Sequence, residues 1–236
     1  MDEELRDPVD ATQREELPNP DQPTRRETLR REAREAREAV CAGELREAKL
    51  LERILAVPFV DRDAWVDELF LLEPVTEDQP DLPRGSVPYL ACGVEEVLAM
   101  VRELPVRPED QLVDLGSGLG RVVMLAHLLT GARTSGIEIQ EHLVMTARAR
   151  SADLHLPVSF VCANAAETTL DGSIFFLYAP FNGGMLRSAL ERLEHVARRR
   201  PIVLCTVDLE LHEVTWLRRR DTTNPALVFY ESLPGR

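Results

Sequence analysis

Residues 111–125 read Gln111-Leu112-Val113-Asp114-Leu115-Gly116-Ser117-Gly118-Leu119-Gly120-Arg121-Val122-Val123-Met124-Leu125. The first five form a short apolar run that carries one acid, and the last five open a helical run. Between them, three glycines at alternate positions give the turn its conformational freedom and let a ligand approach the backbone. Strand, glycine-rich turn and helix in that order make the ligand-binding corner of a doubly wound sheet, where ligands sit outside the C-terminal strand ends. The spacing is D-x-G-x-G-x-G. The dinucleotide fingerprint G-x-G-x-x-G would need glycine at 121, where Arg121 stands.

On both sides of this stretch the pattern alternates. An amphipathic helix is expected over 94–104, ending before Pro105. Strands follow at 111–115, 134–139, 158–162, 173–178 and 201–207, with helices at 119–130, 141–153 and 184–198. Such alternation predicts parallel strands joined by crossover helices. The end of the chain departs from it: 214–219 and 226–231 read as two strands joined through Asp221-Thr222-Thr223-Asn224-Pro225, a hairpin. The expected fold is therefore α/β, a doubly wound sheet of parallel strands with a C-terminal antiparallel hairpin, plus an N-terminal helical extension.

That extension reads differently. Residues 1–23 are acidic and contain Pro8, Pro18, Pro20 and Pro23, with too little apolar surface to offset the entropy of ordering, so a disordered tail is expected. Thr24 and Glu27 then form a T-x-x-E capping box for a helix running to about Ala56, weakened at Gly43. A shorter helix starts at Asp61, passes Trp65, Leu69 and Leu72, and stops at Pro74. The proline-rich stretch 74–88 reads as a linker or lid loop. The organisation is thus a tail at 1–23, a helical extension or cap at 24–85, and one α/β domain at 86–236.

Composition narrows the partners. The net charge is −13, with 25 acidic and 13 basic residues before position 101 and 16 and 15 after it. An acidic front and a near-neutral back do not suit a chain that grips nucleic acid along its surface. Lys49 is the lone lysine, an arginine bias that reflects genome composition rather than phosphate binding. No apolar run reaches the roughly 20 residues of a membrane span, and Met-Asp-Glu-Glu does not begin a signal peptide, so the cytoplasm is the expected compartment. Cys41, Cys92, Cys162 and Cys205 show no metal or redox spacing and read as reduced thiols, three in apolar surroundings. No set of histidines has metal-ligand spacing, so no metal is expected. His212, with Asp208 and Glu210, follows the fifth strand and reads as solvated loop, the alternative being the acceptor side of a site.

The loop at 114–120, an acid ending the next strand in Gly136-Ile137-Glu138, and the terminal hairpin resemble the class I, Rossmann-like methyltransferases, which use S-adenosylmethionine. The resemblance covers about residues 86–232. It implies that Asp114 holds the methionine amino group, that Gly116, Ser117, Gly118 and Gly120 run beneath the methionine and ribose, and that Glu138 binds the ribose hydroxyls, since a carboxylate accepts from two neighbouring hydroxyls at once. Asn164 and Ala165 fall where adenine is recognised, with asparagine in place of the commoner aspartate. Tyr89, in Val87-Pro88-Tyr89-Leu90, matches a stretch that lies over the cofactor. Around the cofactor the residues also resemble the histone-lysine methyltransferases named for disrupting telomeric silencing, and their bacterial relatives.

Methyl transfer from a sulfonium is an in-line displacement, so positioning can supply much of the catalysis and no catalytic triad is required. The acceptor side is expected at Phe175-Phe176-Leu177-Tyr178-Ala179-Pro180-Phe181-Asn182, which is similar to the Asn/Asp-Pro-Pro-Tyr/Phe motif of amino methyltransferases. Tyr178, Pro180, Phe181 and Asn182 are the substrate-side residues, and Tyr178 is the one catalytic candidate. Tyr178 or Ala179 stands where that motif has Asn. The expected function is direct methyl transfer to an unassigned acceptor, a small molecule or a protein side chain; the alternative is a non-catalytic cofactor-binding or scaffold module.

Overall fold

The computed structural model describes residues 24–74, 77–212 and 214–233; the expected disordered tail at 1–23 lies outside the described residues. Helix α1 (Arg25–Cys41) begins with the capping box read from the sequence: the Glu27 amide donates to the Thr24 hydroxyl and the Thr24 amide to the Glu27 carboxylate. Ala33, Ala36 and Val40 form its buried stripe. The helix does not run on to 56. It ends at Cys41 beside Gly43, which adopts φ +76°, and a second helix α2 (Glu47–Ala56) buries Leu50 and Ile54. After a 3-10 turn at Phe59–Asp61, α3 (Arg62–Phe70) ends before Pro74, because Leu71 turns left-handed at φ +57°.

Helix α4 (Val94–Glu103) leads into the alternating part: β1 (Gln111–Leu115), α5 (Arg121–Thr130), β2 (Arg133–Glu138), α6 (Glu141–Asp153), β3 (Ser159–Cys162), β4 (Ile174–Tyr178), α7 (Gly183–Ala197), β5 (Val203–Val207), β6 (Leu217–Asp221) and β7 (Leu227–Ser232). The sheet order is β3-β2-β1-β4-β5-β7-β6. The first five are parallel, and β7 runs antiparallel to both β5 and β6. The hairpin strands begin later than expected, since Trp216 is drawn into the core ahead of β6. Strand order reverses between β1 and β4, the place where open α/β sheets take their ligands.

Both faces of the sheet are covered, which is why the central strands read as near-continuous apolar runs. Leu112, Ile174, Phe176, Cys205 and Phe229 face one way and join the buried residues of α1 through α6 in one core. Val113, Phe175, Leu177, Leu204 and Tyr230 face the other way and meet α7. Asp114, two residues after Leu112, points to the side of α4 and α5 by the period-two rule.

Candidate functional site at the strand ends

At the C-terminal edge of the parallel strands the chain turns sharply at several places. Gly116, Gly118 and Gly120 all have positive φ, at +86°, +51° and +83°. The amides of Gly116 and Ser117 both donate to the Ile137 carbonyl on the neighbouring strand, at 2.8 and 3.1 Å. A Cβ on Gly118 would stand 2.0 Å from the Tyr89 ring, so only glycine admits the tyrosine lying on the loop. Gly120 instead backs onto Phe160 and Ala147 and caps α5.

A cavity opens beside this loop. Tyr89, Gly116, Glu138, Asn164 and Ala165 line one part of it. Tyr178, Pro180 and Phe181 line another, with Met185 and Asp208. Ser117, Gly118 and Gly120 lie behind the lining, and Asn182 is exposed outside it, at the start of α7. Pro180 presses on Gly116, whose Cβ would meet it at 2.4 Å; the two expected halves of the site therefore touch.

Asp114 lies behind the lining, two residues before Gly116. It is 2% exposed, and its carboxylate has no hydrogen-bond partner among the described residues. Burial first, then the nearby Glu138 charge, pushes its pKa well above the ordinary carboxylate range. Glu138 is held differently: one oxygen accepts from the Gly118 amide at 2.9 Å, the other from the amides of Ile139 and Gln140 at 2.8 and 2.9 Å. The Ser117 hydroxyl is buried without a partner among the described residues. Asn164 closes its own turn, its oxygen accepting from the Ala166 amide and its nitrogen donating to Glu167. That leaves one lone pair of the amide oxygen.

The roof was not legible in the sequence beyond the word lid. Asp78 accepts from the Tyr89 amide at 2.9 Å and from the Gln140 side chain at 2.7 Å, while the Gln79 amide donates to the other end of the same Gln140 amide at 2.8 Å. On the opposite side the Val87 amide donates to the Pro180 carbonyl, the Asn182 amide to that of Gly85, and Ser86 bridges Phe181. The strap 78–90 thus spans the cavity from β2 to the loop after β4. Burial chiefly, with Asp67 and Asp114 nearby, pushes the Tyr89 phenol up to about 12 despite Arg121 and a bond to the Leu119 backbone. Burial, then Asp208, raises Tyr178 as well.

A family model described as "Histone methylation protein DOT1" matches residues 89–176, less than half of the chain but the part that holds the loop, Glu138 and Asn164. Over that stretch the chain is similar to a methyltransferase family. Among solved structures it is similar to an RNA methyltransferase of Salinibacter ruber in complex with S-adenosyl-L-homocysteine, at 24% identity and TM-score 0.49, over 61% of this chain and 92% of that one. It is also similar to a geranyl diphosphate C-methyltransferase of Streptomyces coelicolor A3(2), at 20% identity and TM-score 0.40, over 48% and 42%. This chain spans about two fifths of the latter. No curated protein matches.

A buried carboxylate without a partner suits an ammonium group, and the Tyr89-covered glycine turn suits close backbone approach. Sequence reading named the loop and its acids but missed Gln140 and Asp78, whose contacts depend on the chain folding back across 62 residues. Asp208, His212 and Glu210 read in the sequence as solvated loop or, alternatively, as the acceptor side; Asp208 is exposed and lines the cavity, while Glu210 pairs with Arg219 and His212 outside it. Three of the thiols have apolar surroundings: Cys92 and Cys205 lie in the core and half-buried Cys41 packs against it, while Cys162 is exposed at the edge strand. Among the described residues no cluster has metal-ligand character, and no helix is long and apolar enough to cross a membrane.

Proposed function

We propose that this chain is a class I S-adenosylmethionine-dependent methyltransferase that transfers the cofactor's methyl group directly to a small molecule or a protein side chain, within the cavity under the strap 78–90. The observation that carries the reading is the buried Asp114 carboxylate, unpartnered among the described residues and 24 positions before Glu138 on the adjacent strand. Asp114 receives the methionine ammonium, a charge-assisted contact that compensates the burial of both groups. Glu138 takes the ribose hydroxyls, the glycine turn with Ser117 lies beneath the methionine and ribose, and Tyr89 covers them. The free lone pair of Asn164, with Ala165, faces the adenine amine. When bound, the cofactor supplies a methyl on a positive sulfur; Tyr178, Pro180 and Phe181 place the acceptor against it and exclude water. Residues 24–85 act as a cap on the domain 86–236, tied to it where α3 meets the start of α5. The family's description as histone methylation supports a protein side chain as one option. Ala179 in place of an acceptor-loop asparagine favours the second reading, a non-catalytic cofactor-binding module.

Titration calorimetry with S-adenosylhomocysteine tests the cofactor site, and binding that disappears in Asp114→Leu is expected; an intact protein that takes up no heat sinks the proposal. Isotope-labelled methyl groups appearing on any lysate component would exclude the non-catalytic reading.

A further inference from the structure

Ala179 and Asp208 are neighbours with the same unusual backbone. Tyr178 and Val207 are the last paired residues of β4 and β5, so Ala179 and Asp208 are the next positions on adjacent parallel strands. Both are left-handed, at φ +36° and +50°, and both line the cavity. A non-glycine residue held at positive φ costs on the order of 1 kcal/mol or more, and such residues gather at functional sites. Of the two, Ala179 has no polar side chain, so the acceptor end of β4 offers no amide oxygen. Asp208 brings a carboxylate to the same edge, and it has no side-chain partner among the described residues. It is close enough to Tyr178 to act on the phenol electrostatically.

The rest of the wall completes the chemistry. Among the described residues the charged side chains lining the cavity are Glu138 and Asp208, both acidic, and none is basic. With Glu138 engaged by three backbone amides at the cofactor end, Asp208 is the charge on the acceptor side. Around it the mouth is apolar: Leu82, Phe181 and Met185 line it, and Val87 and Leu90 stand 38% and 68% exposed at the strap. A phosphate or carboxylate acceptor would meet uncompensated negative charge here, whereas a compact apolar body bearing an amine would meet its complement on both counts.

We propose that the acceptor is a small apolar amine and that Asp208 is a catalytic residue that holds its nitrogen. The proposal rests on the function proposed above. The amine binds as its ammonium ion and first loses one proton to solvent at the cavity mouth; the lone pair so freed forms the new C–N bond as the C–S bond breaks with its electron pair left on sulfur. Positive charge therefore moves from sulfur to nitrogen, and the methylated ammonium ends beside the Asp208 carboxylate. A carboxylate where positive charge develops lowers the barrier to methyl transfer, and Tyr178 donates no proton in the step.

The test uses benzylamine, tryptamine and octylamine as probes, with phenyl phosphate, benzoate and a lysine-bearing peptide as competitors. Calorimetry of each amine into protein saturated with S-adenosylhomocysteine reads binding without turnover, and mass spectrometry with a deuterated methyl donor reads the product. Amine binding and amine methylation are expected, with Asp208→Asn weakening amine affinity about tenfold or more, as for loss of a charge-assisted bond, while its affinity for S-adenosylhomocysteine stays within about twofold. Methylation of the phosphate, benzoate or peptide in place of the amines overturns the proposal, as does cofactor binding with no amine bound, or amine affinity unmoved by Asp208→Asn. Failure of S-adenosylhomocysteine to bind the wild-type protein instead overturns the function itself and this proposal with it.

Discussion

Arg121, in the first turn after the glycine loop, donates from Nε and Nη2 to Oδ1 of Asp67 on α3, at 3.0 and 2.5 Å. Its remaining nitrogen donates to the Cys92 carbonyl at 2.6 Å. One buried guanidinium thus joins the N-terminal helices, the start of α5 and the segment that carries Tyr89 over the cavity. Asp63 reinforces the join from the same helix, standing 3.6 Å from Arg121 and accepting from the Val94 amide at the start of α4.

Asp67→Asn should therefore destabilise the whole protein rather than loosen an appendage. Removing one partner of a fully buried pair costs roughly 3–5 kcal/mol. Asp67 is 32% exposed at its side chain and Asp63 remains, so a loss of about 2 kcal/mol is expected. Urea denaturation checks it: a single shifted transition fits the joined core, while a separate early transition for α1 to α3 would contradict it.

Two left-handed glycines should behave oppositely. Gly118→Val drives a side chain into the Tyr89 ring and should weaken S-adenosylhomocysteine binding by more than about tenfold. Gly183, at φ +55°, has nothing within 4 Å of a built Cβ. Gly183→Ala should cost only backbone strain, about 1 kcal/mol, and leave cofactor affinity in place. Equal losses of affinity in the two variants would show that the glycine loop has no special role.

Asp114 gives the protein a pH dependence of definite sign. Its native pKa lies above the unfolded value of 3.8, so the folded state holds the proton over the window between them and stability falls as pH rises through that window. Asp114→Asn should flatten this slope, raise the melting temperature of the cofactor-free protein near neutrality, and abolish cofactor binding. Calorimetry in buffers of different ionisation enthalpy should also record proton release when the wild type binds cofactor, because an ammonium beside Asp114 favours its charged form.

Thiol reactivity should divide along burial. Burial above all holds the Cys92 and Cys205 thiols protonated, with the Asp114 charge adding to the effect in each. Iodoacetamide should label exposed Cys162 first and reach Cys92 and Cys205 only on unfolding, as peptide mass mapping will show. Early labelling of Cys92 would mean that the segment under Tyr89 opens readily.

The contrast between what was legible in the sequence and what was not has a physical basis. Asp114, the glycine turn and Glu138 are read correctly as neighbours because they belong to consecutive units, and parallel pairing puts Asp114 opposite Gly136. The break after Cys41 was harder, since helix-forming residues continue to Ala56 and only Gly43 marks the turn. Gln140, Asp78 and Asp208 carry no local signature. Their chemistry arises only when the strap crosses the strand ends, and a lone polar residue in a loop looks the same whether it faces water or a cavity wall. Arg121 was noticed as a missing glycine. Its value as a tie to α3 could not be read without the helix beside it.

The Gln140 amide accepts from Gln79 and donates to Asp78, so it is read at both ends. Glutamate at this position would set oxygen against oxygen at Asp78, and methionine would satisfy neither. Lysine at 78 would strand the amide in the same way. A change at 78 or 140 alone therefore leaves the buried Gln140 side chain short of a partner, and only complementary changes at both would keep the strap tied to β2.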